Sequence, residues 1–358
     1  MKSVGSNSFT DHENARSAEK YEVRSLAEND FPRWDEFVRR SPQGTLFHST
    51  LWLEAAAKPF RLLGCFRGTE MHGGCAVGLG GPRVANRPYP SLTPYFGVLY
   101  PPSLGKYVTS ISTNKEVANA FALFLKNEFD WINELPFSPE ALDMQPFMWQ
   151  GFAIELRYTY RLRLGSVDTI LANMDSVRRR NLASAIKQGI KIDLNGEFSE
   201  ILDLNQKSFE RQKTKSMHGA AACLFESRLR AANRCKGFLA RNERGVPLGG
   251  VWIAWDEKRA YYLIGGHDHS TKSNSAVVLA MWHAIQFATN ELNLREFDFE
   301  GSAIPSVESF FRKFGGTLTP YYCVSYRRPS AIRSSVRHLA IAVFGQSIAD
   351  SLMRLLRG

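Results

Sequence analysis

A β-hairpin pattern that occurs twice constrains the fold of this chain more than any other feature of its sequence. The apolar run 62–66, a turn and the pair Gly73-Gly74 return further along as the apolar run 237–240, a turn and the pair Gly249-Gly250. Later segments recur in the same order and at nearly the same offset, with 129–131 and 158–160 returning as 297–299 and 321–326. Several short patterns repeated in one order are typical of a duplicated structural unit. The sequence therefore predicts two copies of one α/β unit.

The second copy shows the succession of elements more clearly. Apolar residues at helical spacing predict helices over 198–212, 275–290 and 306–313. Alternating or continuous apolar runs predict strands at 238–241, 248–255, 260–264 and 296–300, and a last strand that ends near Tyr326. This order, a strand meander followed by crossover helices, predicts an α/β chain of α+β character with two tandem units, each a mixed β-sheet flanked by helices.

Length and composition agree with that organisation. The 358 residues are enough for two typical domains, and 44% hydrophobic with 22% charged residues is the mix of a folded globular chain. The polar N-terminus carries no secretory signal and no apolar run is long enough to span a bilayer, so we expect a cytoplasmic protein. We expect four regions: a disordered tail at 1–20, a first unit at 21–160, a second unit at 161–327 and a basic amphipathic helix at 328–358.

The cysteines and histidines argue against a metal site. The chain has five cysteines, and none of them belongs to a C-x-x-C pair. His267 and His269 lie two residues apart, but no cysteine or third histidine follows at ligand spacing. We therefore expect reduced, buried thiols and no metal.

Charge is the feature of the composition that indicates a ligand. The formal net charge is +10 and the pI is about 9.4. Residues 161–191 hold seven basic residues against two acidic ones, and residues 327–358 hold six arginines against one aspartate. A localised excess of this kind indicates a phosphate-bearing partner, while the alternative is a solvated basic surface.

Three stretches of the second copy, 176–190, 249–285 and 297–316, carry recognisable motifs, and 89–97 in the first copy is a softer match. The first stretch is similar to the pattern R-x-x-I-x-x-A-x-x-x-G-V, and the last is similar to D-F-x-G-S followed by F-(K/R). In these stretches the chain resembles the FemAB-like branch of the GNAT acyltransferase superfamily. This branch includes peptidoglycan-bridge aminoacyltransferases and the acetyltransferase domains of polysaccharide gene clusters.

This resemblance implies a tandem GNAT fold that transfers an acyl group onto an amine. The implied donor is acyl-CoA or, as in the branch's aminoacyl-transferring members, aminoacyl-tRNA. In members of the superfamily that use acetyl-CoA, a (Q/R)-x-x-G-x-(G/A) loop precedes one helix. The corresponding helix in this chain begins near Ser275. Residues 266–275 lack that pattern, which leaves both donors open.

Acidic and phenolic groups near the end of the second copy are the candidate catalytic residues. Alternation would place Asp298 and Glu300 on one side of a strand while Phe297 and Phe299 fill the core. Either carboxylate could then remove a proton from the acceptor amine. An alternative for Asp298 is that it pins the turn after the strand. Tyr321 is a candidate donor to the oxyanion, with packing in the core as its alternative.

The candidate residues for binding substrate or phosphate are mostly cationic. Arg178 and Arg179 open a helix, where the helix dipole disfavours cations, so an external diphosphate would explain them. The alternative is a solvated helix face. Lys272 lies in the loop before the helix at 275–290, whose N-terminus is suited to phosphate. The whole candidate set is Arg178, Arg179, Lys272, Arg312, Lys313 and Tyr95.

The C-terminal segment 328–358 has arginines that bracket two apolar runs. Such a helix could lie on the inner face of an anionic membrane, or instead pack on the protein or a second subunit. The resemblance to the FemAB-like branch, together with the charge, implies an N-acyltransferase that acts on a phosphate-bearing small-molecule or lipid-linked glycan precursor of the cell envelope or surface polysaccharide. The alternatives are a FemAB-type peptidyltransferase that uses aminoacyl-tRNA and a non-catalytic module that binds an anionic glycan precursor.

Overall fold

A computed structural model describes residues 20–86, 92–103, 105–194, 196–211, 220–268, 274–301 and 304–329. The strands are β1 (Glu22–Ser25), β2 (Phe60–Arg67), β3 (Glu70–Gly81), β4 (Val84–Asn86), β5 (Trp131–Pro136), β6 (Ala153–Arg163), β7 (Lys191–Asp193), β8 (Cys235–Arg241), β9 (Pro247–Trp255), β10 (Arg259–His267), β11 (Glu296–Asp298) and β12 (Thr317–Arg327). The helices are α1 (Phe31–Arg40), α2 (Thr50–Ala55), α3 (Tyr107–Glu128), α4 (Gln145–Trp149), α5 (Val167–Asn173), α6 (Ser176–Lys187), α7 (Phe198–Arg211), α8 (Ala220–Ala231), α9 (Ser275–Asn290) and α10 (Pro305–Arg312). The predicted tail at 1–20 and C-terminal helix at 328–358 lie almost wholly outside the described residues.

These strands form one continuous sheet in the order β1-β2-β3-β4-β5-β12-β6-β11-β10-β9-β8-β7. The hairpin repeated in the sequence is β2–β3 in the first half and β8–β9 in the second. Each half then has a parallel pair, β4 with β5 and β10 with β11. A long helix joins the members of each pair, α3 in the first half and α9 in the second. The predicted fold class, two tandem units of mixed sheet with flanking helices, is confirmed.

The two halves exchange their last strands. β6 follows the first half in the chain but pairs antiparallel with β11 of the second, whereas β12 pairs antiparallel with β5 of the first. β6 and β12 also pair with each other, from Arg161 opposite Thr317 to Ala153 opposite Ser325. The unit boundary expected from the sequence, at residue 160, lies inside β6 and stays a prediction.

Helices cover the second half of the sheet on both faces. Consecutive residues of a strand point to opposite faces, so Gly249 and Gly250 of β9 face different helices. A Cβ atom at Gly249 would lie 2.5 Å from the backbone nitrogen of Val277 on α9, and one at Gly250 would lie 3.1 Å from Ile201 on α7. Both helices therefore lie directly on the strand. One apolar core joins the first half to α7 and α8, and another lies under α6, α9 and α10.

Polar contacts fix the first half against the β9–β10 turn of the second. The carboxylate of Asp256 accepts a hydrogen bond from the backbone of Leu46 at 3.0 Å and one from the Tyr261 hydroxyl at 2.7 Å. Lys258 Nζ donates to the carbonyl of Ser41 at 2.6 Å. Because Asp256 and Tyr261 are buried, these bonds act where water competes weakly. The halves thus meet through specific polar contacts as well as through the shared sheet.

Candidate active site

The strands β10 and β11 separate after only three paired residues. Arg259 to Tyr261 lie opposite Glu296 to Asp298, after which β11 ends while β10 continues to His267. The pairing of β10 with β9 is irregular between Tyr262 and Ile264, at the point where the strands part. The gap opens into a cavity of about 660 Å³. Its walls include α7 on one face of the sheet and α10 on the other, so two substrates could reach one point from opposite faces.

Glu300 faces this cavity from a tight turn that follows β11. Its backbone has φ +59°, and Gly301 follows with φ +63°. The amide of Glu300 donates to Oδ1 of Asp298 at 2.9 Å, which closes the turn. A Cβ atom at Gly301 would collide with the carbonyl oxygen of Tyr158 on β6, so only glycine fits there. The turn therefore places a half-buried carboxylate at the mouth of the gap.

This geometry corrects the prediction that 296–300 is a strand with Asp298 and Glu300 on the same side. The strand ends at Asp298, because that side chain captures the amide of Glu300 and the chain turns into the left-handed region. Glu300 then lines the cavity, while Asp298 points into the protein with no exposed surface. The alternative that Asp298 pins the turn describes the arrangement in the structure.

Asp298 is surrounded by donors from three parts of the chain. Its Oδ2 accepts from the hydroxyl of Tyr95 at 2.8 Å and from Nε of Arg161 at 3.1 Å. Its Oδ1 accepts from the Thr159 hydroxyl at 2.5 Å, in addition to the amide of Glu300. A buried carboxylate with four donors is fully satisfied and is suited to holding structure.

Arg178, on α6, is one of two cationic candidates that line the cavity among the described residues. Its side chain is only 4% exposed, which contradicts the alternative of a solvated position. Its guanidinium lies over the rings of Phe310 and Phe314, 4.4 and 5.4 Å from their centroids. It donates to Asn181 and to the carbonyl of Phe310, both at 3.2 Å, while Nε has no acceptor among the described residues. Burial lowers the pKa of Arg178 to about 10.

The other cationic candidates occupy different surroundings. Lys313 lines the cavity at the end of α10. Arg312 is exposed and lies 3.4 Å from the carboxylate of Glu308 on the same helix. Arg179 donates to the carbonyls of Ala172 and Met174 at 2.9 and 2.7 Å, which ties α6 to the end of α5. Lys272 lies outside the described residues.

The two tyrosine candidates are buried at the junction of the halves and do not line the cavity. Tyr95 has no exposed surface, and burial followed by the charge of Asp298 raises the pKa of its hydroxyl well above the usual value. Tyr321 packs edge-on against Tyr95 with ring centroids 5.3 Å apart, and burial raises the pKa of Tyr321. This is the packing that the sequence allowed as the alternative for Tyr321.

Several polar residues of the site were not among the candidates from the sequence. Thr159 and Arg161 contact Asp298 from β6, which lies more than a hundred residues earlier in the chain. A strand neighbour of this kind leaves no local signal. Other polar residues that line the cavity include Asn205, Ser208, His267 and Asn274. Of these, Asn274 has a position that the sequence marks, immediately before a strong helix.

The described residues contain no group of three or more side chains that could ligate a metal ion. In the same part of the chain, every helix is too short or too polar to cross a bilayer.

Comparison with known families adds a chemical context to this cavity. Residues 176–308 match the family model of the GNAT acetyltransferase domain. The matched segment runs from the start of α6 into α10 and contains most of the cavity lining, including Arg178 and Glu300. Over these residues the second half of the chain is similar to a GNAT acetyltransferase domain. No curated protein matches the chain.

Solved structures share the fold of the whole chain. FemX has a TM-score of 0.63 and 14% identity, over 88% of this chain and 99% of its own. The C-terminal domain (DUF2156) of a putative lysylphosphatidylglycerol synthetase from Agrobacterium fabrum has a TM-score of 0.54 and 10% identity, and the match covers 87% of this chain and 96% of that domain. A tandem GNAT protein from the clavulanic acid biosynthesis pathway has a TM-score of 0.51 and 12% identity, and the match covers 86% of this chain and 98% of that protein's chain. At these identities the likeness establishes the fold, a tandem GNAT fold of the FemX type.

Proposed function

We propose that this protein is an N-acyltransferase that moves an acyl group from acyl-CoA onto an amine of a cell-envelope or surface-polysaccharide precursor. The GNAT domain match at 176–308 supports acyl transfer. The observation that carries the proposal is the position of Glu300, a carboxylate held by a left-handed turn at the gap between β10 and β11. The identity of the donor and that of the acceptor are parts of the proposal.

Glu300 would act as the general base. As the amine nitrogen attacks the thioester carbonyl, a C–N bond forms and the carboxylate takes the proton that the nitrogen loses. The tetrahedral intermediate then collapses, the C–S bond breaks, and the thiolate of CoA leaves with the proton that Glu300 had accepted. A positioned base contributes about 10²–10⁴-fold to such a step, and alignment of the two substrates contributes further.

The backbone of β10 offers donors for the developing oxyanion. Beyond Tyr261 the described part of β10 has no strand partner on the side of β11, so its amides on that side face the gap. Backbone amides fixed before the reaction stabilise a tetrahedral oxyanion without having to reorganise. The residues from Tyr262 to Gly266 are therefore suited to hold the thioester carbonyl of the donor, whereas the amide of His267 donates to the hydroxyl of Ser208 at 3.4 Å.

Two cations support an anionic substrate. Arg178 is a buried guanidinium whose acceptors are an amide oxygen and a backbone carbonyl, and Lys313 lines the same cavity. The charge of Asp175 acts on Arg178, but among the described residues no carboxylate forms an ion pair with it. Burial of such a cation is costly, and an incoming phosphate or carboxylate would offset that cost. This is the chemistry that a phosphate-bearing precursor or the diphosphate of CoA would supply.

An aminoacyl-tRNA donor is the second candidate. The net charge of +10 suits a polyanion, and the fold is shared with the putative lysylphosphatidylglycerol synthetase domain. Calorimetric binding of acetyl-CoA, desulpho-CoA and bulk aminoacyl-tRNA at two salt concentrations separates the candidates. Saturable binding of CoA supports the first candidate. Salt-sensitive binding of tRNA without binding of CoA supports the second. If none of the three ligands binds, both candidates are contradicted.

The variant Glu300→Gln tests the base directly. The amide keeps the size of the side chain but cannot accept the proton, so we expect acyl transfer to fall about hundredfold or more while CoA binding is retained. The matched control is Glu291→Gln, at the exposed end of α9, which should keep wild-type turnover. A fully active Glu300→Gln enzyme would show that the base has been assigned to the wrong residue.

A further inference from the structure

We propose that Tyr95 and Asp298 are positioning residues that fix the turn of Glu300, so that the first half of the chain controls a reaction carried out in the second. The proposal rests on the proposed function, in which Glu300 is the base. It assigns no proton transfer to Asp298 or Tyr95. Both act through the geometry that they impose on the turn.

The two carboxylate oxygens of Asp298 accept hydrogen bonds from different groups. Its Oδ1 holds the amide of Glu300 at 2.9 Å, together with the hydroxyl of Thr159. Its Oδ2 accepts from Tyr95 at 2.8 Å and from Arg161 at 3.1 Å. The donors on Oδ2 fix the rotation of the carboxylate, and that rotation sets where Oδ1 meets the amide. A change at Tyr95 therefore reaches Glu300 through one rigid group.

The backbone around Tyr95 is held by contacts with the first half. It belongs to the extended segment 92–100, all of which is buried. The amide of Phe96 donates to Pro136 at 2.6 Å, and Leu99 exchanges two backbone hydrogen bonds with Gly74 on β3, at 2.7 and 3.0 Å. Gly97 lies so close to the ring of Phe137 that a Cβ atom there would be 2.5 Å from it. The segment thus delivers the phenol to Asp298 from a scaffold made by β3 and β5.

The charges around Asp298 form a connected cluster across both halves. Arg161 donates to Glu140 as well as to Asp298. Arg259 in turn bridges Glu140 and Glu296, with both contacts at 2.5 Å. Two guanidinium groups are thus surrounded by three carboxylates, and removal of the neutral Tyr95 hydroxyl leaves this charge balance unchanged. The variant Tyr95→Phe therefore tests the hydrogen bond to Asp298 apart from the ion pairs.

The turn needs such support because its backbone conformation is unfavourable. A residue other than glycine at φ +59° is strained by about 1–2 kcal/mol, and it persists where neighbouring contacts enforce it. The contacts that enforce it are the Oδ1 of Asp298 and the close approach of Gly301 to Tyr158. When the hold on Asp298 weakens, Glu300 can leave the position in which it faces the gap.

The experiment compares Tyr95→Phe with Tyr100→Phe in the full-length protein. Tyr100 is the last residue of the same buried segment and is 6% exposed, so its variant also removes a buried hydroxyl. We expect Tyr95→Phe to lower kcat for acyl transfer from acetyl-CoA about tenfold with KM within about twofold. We also expect amide hydrogen exchange at Glu300, followed by NMR, to become about tenfold faster. Tyr100→Phe should change neither quantity. Thr159→Val, which removes a donor from Oδ1, should act as Tyr95→Phe does.

The readouts separate this proposal from the proposed function. Unchanged kcat and unchanged exchange at Glu300 in Tyr95→Phe would overturn the positioning role. So would an equal rise in exchange at Ile253 in the centre of β9, because it would show general loosening of the fold. A wild-type protein without acyl transfer would overturn the proposed function. The exchange rate at Glu300 would then decide by itself whether Tyr95 and Asp298 fix the turn.

Discussion

The phenol of Tyr95 donates a 2.8 Å hydrogen bond to the carboxylate of Asp298, across 203 residues of sequence. The bond crosses the junction between the two halves at a point with no exposed surface on either side chain. Asp298 lies two residues before Glu300, whose carboxylate faces the cavity. The first half therefore contributes to the site through Tyr95, although Tyr95 does not line the cavity.

Gly301 offers a direct test of the turn that carries Glu300. The variant Gly301→Ala must place a methyl group against the carbonyl of Tyr158 at φ +63°, so we expect a loss of about 1–3 kcal/mol in the free energy of unfolding. Acyl transfer should fall in the same variant because the turn must shift. Urea denaturation and a turnover assay measure the two effects.

The matched control is Gly165→Ala, at an exposed position where an added Cβ would meet no atom within 4 Å and where φ is not in the left-handed region. We expect its stability to stay within about 0.5 kcal/mol of wild type. Equal stability of the two variants would contradict the tight packing of the turn against β6.

His48 predicts a pH dependence of stability. Burial is the main cause that lowers the pKa of His48 to about 3, and the ring has no exposed surface. The unfolded chain therefore takes up a proton below pH ~6.5 that the folded chain does not accept until pH ~3. The contribution of His48 is complete above pH ~6.5 and is lost as the pH falls, by up to about 1.4 kcal/mol per unit.

The variant His48→Gln measures this effect by difference. Unfolding free energies between pH 4 and pH 6.5 should fall less steeply in the variant than in wild type, although the variant is less stable at pH 7. The loss at pH 7 follows from the contacts of the ring with Thr45 at 2.7 Å and with the carbonyl of Gly97 at 3.3 Å. Identical slopes in the two proteins would rule out a neutral buried imidazole.

The buried position of Arg178 at the cavity indicates where an anion binds. We expect Arg178→Met to weaken CoA binding at least about tenfold, because a buried charged hydrogen bond to phosphate or carboxylate is lost. Arg180→Met is the control, since Arg180 is an exposed residue of the same helix. Isothermal calorimetry at low salt measures both affinities, and thermal melting shows that both variants fold. Equal affinities would place the anion elsewhere.

The sequence predicted the repeated architecture because that information is local. The glycine pairs and apolar runs of the hairpins lie within about twenty residues, and β2–β3 and β8–β9 form as predicted. Helix α9, with its continuous apolar positions, begins at Ser275 and ends at Asn290, the predicted range. Hydrophobic periodicity is sufficient to predict a strand or helix when that element has one face buried in the core.

The site was predicted less completely because its decisive contacts are not local. Alternation assumes that a strand continues, whereas the side chain of Asp298 ends the strand and turns Glu300 away. The burial of Arg178 depends on Phe310, 132 residues further along. The exchange of β6 and β12 leaves no local trace in either strand, because their partners, β11 and β5, lie far away in the chain. Such features are set by tertiary neighbours.

The exchanged strands also determine how the chain can be divided. If the backbone were cut in the loop between β6 and α5, the N-terminal piece would carry β6 without β11, and the C-terminal piece would carry β12 without β5. Each fragment would keep an open sheet edge that only the other can close, so the two pieces should be soluble as a pair and aggregate apart. The strand pairing is therefore that of a domain-swapped dimer whose two members are joined in one backbone.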